Sequence, residues 1–481
     1  MTETLRHITS INDLAIAEIE AIFTLADRYL EELGDPARPY RIARSANVAP
    51  GAILASLFYE PSTRTRLSFE SAMLRLGGKT ISSADPATSS AAKGESLADT
   101  VRVASSYADI LVIRHPRDGA AKLAAEYASV PVINGGDGGH EHPTQTICDV
   151  FTLKRESGDL RKMNVAISGD LRGSRTVHSF VYALARFGAN IFLMPAKGME
   201  LPAHVDWRLR NEFKCHVVPK EKYEGADSAV DALYVTADEP HQLSLIASAD
   251  IDLDVKIKKN MDVVYVTRFQ KERWADKDQN YPTINATFLK GAKYAHTSLL
   301  HPLPRVSELD ISLDSDRRAA YFRQAAYGVP TRMALIALLL GIEKENVLAR
   351  YESGLRAHAH PVYEQPSDIG ARCVNLNCIV HDEMERKYTR NKFHLVETNA
   401  ARLRCFYCET DVADFVVANR RTKHYSLDAA ELRPSLEKHP KDAIVFTDEA
   451  SARAAGYVPR KGKPPARTSL AGVPKRTVGQ G

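Results

Sequence analysis

Short apolar segments separated by polar turns recur along the chain in an order that predicts alternating strands and helices. Residues 53–58 form a short apolar run of the length that is typical of a buried strand. The next apolar residues recur at i, i+3, i+4 and i+7, which is the spacing of one helix face. They are Phe69, Ala72, Met73 and Leu76. Because Gly77 and Gly78 come directly afterwards, we expect this helix to end there.

The same alternation continues and divides the first three quarters of the chain into two domains. Further buried strands are predicted at residues 110–113, 130–134, 164–168, 231–236 and 262–267. Strands that alternate with helices favour parallel sheets covered by helices on both faces. We therefore expect an α/β protein with two doubly wound parallel-sheet domains, at residues 1–155 and 156–320, followed by a closing helix at 321–345.

Two pairs of cysteines set the remainder of the chain apart. Cys373 and Cys378 are separated by four residues, Cys405 and Cys408 by two, and 26 residues lie between the pairs. Four cysteines in two close pairs match a tetrahedral zinc site, which is structural because its thiolates complete the metal's shell. We predict a linker at 346–370, a small β-rich zinc-binding domain at 371–425, and a basic disordered tail at 426–481.

Composition indicates a soluble, multidomain protein. The chain has 481 residues, of which 44% are hydrophobic and 26% charged, and no apolar run approaches the length of roughly 18 residues that spans a bilayer. The first residues lack the basic-then-apolar pattern of a signal peptide, and the cysteine spacing suits metal in a reducing compartment. We therefore expect a cytoplasmic protein. A net charge of +4 is too small to imply a nucleic-acid partner for the whole chain.

The turn after the first strand carries the densest group of anion-binding residues. Ser62, Thr63, Arg64 and Thr65 lie where the predicted strand passes into the predicted helix. Backbone N–H groups point outward at a helix N-terminus, and the helix dipole favours an anion there. Hydroxyls and a guanidinium add charge-assisted hydrogen bonds, so this turn is predicted to bind a phosphate.

Two more strand ends place polar residues at the edge where α/β sheets bind ligands. Arg114 follows the strand at 110–113. A glycine-rich turn follows the strand at 130–134 and leads to His142, which we expect to cap a helix that begins at Pro143, with Gln145 in its first turn.

Taken in order, these motifs resemble the catalytic chain of aspartate carbamoyltransferases. The matching motifs extend over about residues 6–343 and are Ser62-Thr63-Arg64-Thr65, Arg114, His142-Pro143-Thr144-Gln145, Arg175-Thr176-Val177-His178-Ser179, Arg268-x-Gln270 and His301-Pro302-Leu303-Pro304-Arg305. The cysteine segment, at about 371–420, resembles the zinc domain of the regulatory chain of the same enzymes. The sequence therefore resembles a fusion of the two chains.

The resemblance implies roles for individual residues. Ser62, Thr63, Arg64 and Thr65 would bind the phosphate of carbamoyl phosphate. Arg114, His142 and Gln145 would hold and polarise its carbamoyl group, and Ser89 and Lys93 match a loop that a neighbouring subunit inserts into the site. Arg175, Arg268 and Gln270 would fix the two carboxylates of aspartate, and the backbone carbonyls of Pro302 and Leu303 would accept hydrogen bonds from substrate N–H groups. The catalytic residues would be Arg64, Thr65, Lys93, Arg114, His142 and Gln145.

The same resemblance implies an enzyme of pyrimidine biosynthesis that transfers the carbamoyl group of carbamoyl phosphate to L-aspartate. It implies homotrimers, or multiples of trimers, with shared active sites, structural zinc and no catalytic cofactor. About 25 residues separate the catalytic part from the zinc segment. That is too few for the nucleotide-binding half of the regulatory chain, since a domain needs on the order of 50 residues. We therefore do not expect nucleotides to regulate the enzyme by that route.

Two other functions are compatible with parts of the sequence. A related carbamoyltransferase would use another amine such as ornithine, although two arginines on the acceptor side suit a dicarboxylate better, and the ornithine enzymes typically have cysteine where Pro302 stands. Alternatively, the cysteine segment and the basic residues after 459 would form a nucleic-acid-binding zinc ribbon attached to an inactive transferase fold.

Overall fold

The computed structural model describes residues 6–34, 47–83, 90–218, 229–236, 261–268, 283–291, 294–342, 360–365, 369–397, 401–412, 415–438 and 441–460. They form two compact units. The first contains the chain up to residue 359 together with residues 375–389 and 407–409. The second contains residues 360–374, 390–406 and the chain from 410 onwards.

The first sheet carries the predicted phosphate-binding turn. Its strands are β1 (Ile53–Phe58), β2 (Lys79–Ser83), β3 (Ile110–His115) and β4 (Val132–Asp137). They are all parallel, in the order β2-β1-β3-β4. The accompanying helices are α1 (Ile16–Leu33), α2 (Thr63–Arg75), α3 (Leu97–Ser105), α4 (Ala120–Tyr127) and α5 (Pro143–Ser157). As predicted, β1 leads through a short turn into α2.

The second sheet is also parallel, in the order β6-β5-β7-β8-β9. Its strands are β5 (Asn164–Gly169), β6 (Asn190–Pro195), β7 (Ala232–Val235), β8 (Val263–Val266) and β9 (Ser298–Leu300), and its helices are α6 (Arg175–Phe187) and α7 (Ala203–Asn211). The closing helix α8 (Tyr321–Leu339) contacts α1, α2 and α5. The helix that follows the second sheet therefore packs on the first domain.

The C-terminal part is rich in antiparallel strands. One sheet contains β10 (Val362–Glu364), β11 (Lys392–Glu397), β12 (Ala401–Cys405) and β13 (Asp411–Val412), all antiparallel. The other has the order β16-β14-β15-β17, with β14 (Val416–Asn419), β15 (His424–Ser426), β16 (Ala443–Phe446) and β17 (Val458–Pro459). The predicted fold class, two parallel-sheet α/β domains followed by a β-rich region, is confirmed.

Two predicted boundaries need correction. The expected disordered tail at 426–481 is folded up to residue 460, where β15–β17 are joined by α9 (Leu432–Lys438) and α10 (Glu449–Ala454). The apolar run in β16 packs with Tyr425, Ala452 and Tyr457 in a small core, which stabilises this segment despite its many charges. The expected linker at 346–370 contains β10, which pairs with β11. Within the described residues, no helix is both long and apolar enough to cross a membrane.

Candidate active site and metal centre

The predicted phosphate-binding turn lies at the N-terminus of α2. Ser62 is the N-cap residue, and within the described part of the chain its hydroxyl accepts no capping hydrogen bond. Thr65 is buried in the first turn, whereas Thr63 and Arg64 are exposed. The helix has 13 residues, long enough for its dipole and outward N–H groups to favour an anion. The turn therefore offers hydroxyls, N–H groups and a guanidinium on one side.

Arg64 connects this turn with the turn that contains Pro302 and Leu303. Its Nη2 donates to the carbonyl oxygen of Leu303 at 2.6 Å. Partial burial, and then the positive charge of Arg268, lowers the pKa of the Arg64 guanidinium, so Arg268 lies close enough to act on it. Residues predicted to bind phosphate and residues predicted to bind aspartate are thus brought together.

A glutamate that the sequence analysis did not single out lies between two of the predicted arginines. Glu60 Oε1 accepts from Arg114 Nη2 and from Arg175 Nη2, both at 3.0 Å, and Glu60 Oε2 accepts from Arg175 Nη1 at 3.1 Å. Burial raises the pKa of Glu60, but the hydrogen bonds and charges of Arg175 and Arg114 outweigh that effect and lower it. Burial, followed by the charge of Arg175, lowers the pKa of Arg114 to about 10.

The glycine-rich segment at the end of β4 and directly after it also holds these two arginines. Arg114 Nη1 donates to Gly135 O at 3.2 Å, and Arg175 Nη1 donates to Gly138 O at 2.8 Å. A Cβ atom on Gly136, which has a φ of 114°, would lie 3.0 Å from Arg114 Nη1 and 3.3 Å from the His142 ring. A glycine is therefore required where the backbone passes between these side chains.

His142 occupies the predicted cap position of α5, with Pro143 as the first helical residue. It is buried, and its backbone N–H donates to Ser179 Oγ at 3.0 Å. Burial, and then the charges of Arg114, Arg175 and Arg332, lowers the pKa of His142 well below its usual value. The imidazole is therefore neutral and can donate a hydrogen bond from one ring nitrogen without adding a charge.

The turn that contains Pro302 and Leu303 is fixed by the buried His301. Its Nδ1 accepts from the backbone N–H of Leu303 at 2.8 Å, and its Nε2 lies 2.8 Å from the Glu308 carboxylate. An acceptor at Nδ1 and a carboxylate at Nε2 assign the proton to Nε2. Leu303 adopts a left-handed backbone conformation with a φ of 54°, which is uncommon for a branched residue outside functional turns.

Three further predicted site residues have no observed contact with the site within the described part of the chain. Ser89 and Gln270 fall outside the described residues. Lys93 is exposed at the end of a 3₁₀ helix, Ser90–Lys93, which precedes α3. Their predicted roles stay predictions.

Four buried cysteines form the predicted metal centre. Cys373, Cys378, Cys405 and Cys408 each offer a sulfur ligand, and the four ligand atoms all lie within 4.8 Å of one another. Four thiolates in this arrangement fit the tetrahedral shell that zinc prefers.

The segment 375–389 packs on the first domain beside the candidate active site. Asn375 Nδ2 and Asn377 Nδ2 donate to the two carboxylate oxygens of Asp118, at 2.7 and 2.9 Å, and Gly139 N donates to Asp118 Oδ1 at 2.7 Å. Glu385 Oε1 accepts from Leu97 N at 2.5 Å, at the start of α3. The segment therefore contacts both the glycine-rich turn and the helix that follows Lys93.

Three family descriptions match successive parts of the chain. Residues 6–155 match the carbamoyl-P binding domain of aspartate/ornithine carbamoyltransferase, and residues 161–339 match its Asp/Orn binding domain. Residues 368–417 match the metal binding domain of the aspartate carbamoyltransferase regulatory chain.

Curated relatives and solved structures agree with these matches. The chain is 42% identical over 339 residues to the aspartate carbamoyltransferase catalytic subunit of Picrophilus torridus, covering 69% of this chain and 98% of that one. The solved catalytic subunit of M. jannaschii aspartate transcarbamoylase is 40% identical, with a TM-score of 0.54, covering 71% and 99%. Aspartate transcarbamoylase from Trypanosoma cruzi, solved with carbamoyl aspartate and phosphate, is 35% identical with a TM-score of 0.54, covering 69% and 94%.

Substituting Glu60 tests its role between the two arginines. In Glu60→Gln, the negative charge between the arginines is lost and an amide N–H₂ faces one guanidinium in place of an acceptor oxygen, so we expect the arginines to shift. A displacement of about 1 Å in a catalytic site typically lowers kcat/KM by about 100-fold, and we expect a loss of this size for carbamoyl transfer. The control is Glu156→Gln, which removes an acid paired with Arg323 instead. Equal activities of the two variants in steady-state kinetics would contradict the proposed role.

Removing the metal tests whether residues 375–389 support the first domain. Chelation of the reduced protein should loosen this segment, and with it the Glu385 contact to α3 and the Asp118 contact to Gly139. We expect amide hydrogen exchange to rise by at least about tenfold in 375–389, in the first turn of α3 and at 138–140. Helix α6 is the internal control and should be unchanged. Faster exchange confined to residues 371–412 would show that the first domain keeps its structure alone.

Proposed function

The chain belongs to the aspartate/ornithine carbamoyltransferase family, and we propose that its candidate site performs the aspartate reaction as follows. The enzyme transfers the carbamoyl group of carbamoyl phosphate to L-aspartate and releases N-carbamoyl-L-aspartate and phosphate. The observation that carries this function is the hydrogen bond from Arg64 to the Leu303 carbonyl, because it joins the phosphate turn to the turn whose carbonyls would accept hydrogen bonds from substrate N–H groups.

Donor binding begins at the start of α2. The N–H groups there, with Ser62, Thr63, Arg64 and Thr65, hold the phosphate through charge-assisted hydrogen bonds. Arg114 and the neutral imidazole of His142 donate to the carbonyl oxygen of the carbamoyl group. Because both donors are buried, their hydrogen bonds are stronger than they would be in water.

The acceptor is held by cations of the second domain. Arg175 and Arg268, together with Gln270, bind the two carboxylates of aspartate, since planar guanidinium groups suit carboxylate geometry. The aspartate amine then attacks the carbonyl carbon. A C–N bond forms, negative charge develops on the oxygen beside Arg114 and His142, and the C–O bond to phosphate breaks. The departing phosphate has oxygens that can accept the proton lost by the amine.

Orientation and charge stabilisation supply the catalysis in this scheme, and no further cofactor is needed. The cysteine cluster and the matching metal-binding domain indicate zinc. We assign zinc a structural role, because four thiolates leave no position in its shell for a substrate.

The assembly and cellular setting are also proposals. The loop with Ser89 and Lys93 would enter a neighbouring subunit's site, which implies a homotrimer or a multiple of trimers. The chain would be a fusion of a catalytic chain with the zinc domain of a regulatory chain, and it would serve pyrimidine biosynthesis. Reduced cysteines placed for a metal favour the cytoplasm over an oxidising compartment.

A direct assay tests the function. The protein should form carbamoyl aspartate from carbamoyl phosphate and aspartate, and it should use ornithine far less well, because a cationic side chain would face Arg175 and Arg268. If the protein turned over ornithine and not aspartate, the acceptor would be ornithine. A protein that is folded and zinc-loaded but inactive with both, and that binds nucleic acid, would support the nucleic-acid alternative.

Replacing Arg268 tests acceptor binding. Arg268→Ala should raise the KM for aspartate by about 30-fold or more, the effect of losing one charged and partly buried contact of about 2 kcal/mol. The KM for carbamoyl phosphate should change much less, because the phosphate turn is intact. Arg161→Ala is the control, since Arg161 is exposed and pairs with Asp159. Equal weakening of both substrates would contradict the assignment of Arg268 to aspartate.

Mixed trimers test whether active sites are shared. One chain carries Lys93→Gln and another carries His142→Ala, and each alone should be nearly inactive. A site with its body from the first chain and its loop from the second contains only unaltered residues. Each mixed ring has one such junction, so co-refolding should recover up to about a third of wild-type activity per mixed trimer. Verified mixed trimers without activity would show that Lys93 does not act in the neighbouring site.

A further inference from the structure

A buried carboxylate on α5 has no role in the reaction scheme so far. Asp149 is only 2% exposed and lies one helical turn beyond Gln145. Burial raises its pKa to about 6 although three neighbours donate hydrogen bonds to it. Burying a carboxylate is unfavourable even when it is well paired, and such groups are often functional.

The three donors connect α5, the second sheet and α8. Asp149 Oδ1 accepts from Gln145 Nε2 and from Gln324 Nε2, both at 2.8 Å, and Asp149 Oδ2 accepts from the Tyr265 hydroxyl at 2.9 Å. An ionised carboxylate only accepts hydrogen bonds, so the N–H₂ end of each glutamine amide has to face it. The oxygen end of each amide is thereby directed away from Asp149.

Of the two amide oxygens, that of Gln324 has a partner in the turn that begins at His301. Gln324 Oε1 accepts from the backbone N–H of His301 at 2.8 Å, which fixes the start of the turn that contains Pro302 and Leu303. Gln145 lies in the first turn of α5, three residues after His142, and its amide oxygen is the end that does not face Asp149. In the proposed reaction, the amine of the carbamoyl group needs acceptors for two N–H groups. We assign these to the amide oxygen of Gln145 and to the backbone carbonyls of Pro302 and Leu303.

We infer that Asp149 is a positioning residue: it orients Gln145 directly, and the 301–303 turn through Gln324, so that acceptors meet the amine of the transferred group. This inference rests on the proposed function and assigns donor selectivity to a group that touches neither substrate. The site then distinguishes a carbamoyl donor from an acyl donor that carries a methyl group instead of the amine.

Binding of two matched donors tests the inference without using turnover. Acetyl phosphate has the shape of carbamoyl phosphate but a methyl group in place of the amine. Calorimetry on the full chain should show that Asp149→Leu raises the Kd for carbamoyl phosphate by about tenfold or more, because the hydrogen-bond acceptors are misplaced. The Kd for acetyl phosphate should stay within about twofold of the wild-type value, because the methyl group uses none of these acceptors. Leucine suits the apolar residues nearby, which include Val165, Phe180 and Val263.

Two variants separate positioning from charge. Asp149→Asn keeps an acceptor for both glutamines if its N–H₂ faces Tyr265, whose hydroxyl can accept as well as donate. It should therefore retain the preference for carbamoyl phosphate. Tyr265→Phe removes one hydrogen bond from Asp149 but neither amide contact, and it should also retain the preference. Gln324→Leu releases the backbone N–H of His301 and should reduce the preference for carbamoyl phosphate. This variant replaces Asp149→Leu in the test if Asp149→Leu does not fold.

Each contrary result has a distinct meaning. Equal weakening of both donors by Asp149→Leu, or an unchanged preference, would overturn the inference. Loss of the preference in Asp149→Asn would overturn it as well, because charge and not orientation would then be responsible. If the wild-type chain bound the two donors equally well, both the inference and the proposed function would be overturned. If Asp149→Leu kept the wild-type preference for carbamoyl phosphate, the inference alone would be overturned.

Discussion

The arrangement of the site depends on one carboxylate between two guanidinium groups. Arg114 comes from the end of β3 in the first domain and Arg175 from the start of α6 in the second. Two cations in partly buried surroundings destabilise each other, and burial together with the charge of Arg175 lowers the pKa of Arg114 to about 10. Glu60 accepts from both and holds them at one place. The glycine-rich turn supplies further acceptors, which explains why its backbone has to pass so close to these side chains.

Burial and the same positive charge determine the state of His142. Burial first, and then the charges of Arg114 and Arg175, lower the pKa of His142, so the ring stays neutral and adds no third cation to the site. A neutral ring still donates one hydrogen bond, which suffices to polarise a carbonyl. The histidine is therefore suited to stabilising an oxyanion and unsuited to acting as a cationic acid at neutral pH.

Local patterns in the sequence predicted the elements that carry the site, but not the groups that hold its residues in place. The strand–turn–helix around Ser62, the cap at His142 and the cysteine spacing are local signals, and the structure contains all three. Glu60 and Asp149 could not be assigned because most of their partners, such as Arg175 and Gln324, lie far away along the chain, and a lone acidic residue has no pattern. The fold of residues 426–460 was missed because its apolar runs are short and lie among many charged residues.

Three carboxylates around the site share one property, which limits the chemistry that the protein's own acids can perform. Glu60, Asp149 and Glu308 each accept hydrogen bonds from groups that contact, or orient, the predicted substrate ligands. A carboxylate that is saturated with donors cannot also remove a proton from the aspartate amine without giving up those contacts. The described acids therefore serve as fixed acceptors that set geometry. This use of acids fits a reaction in which aligned substrates and a stabilised oxyanion supply most of the acceleration.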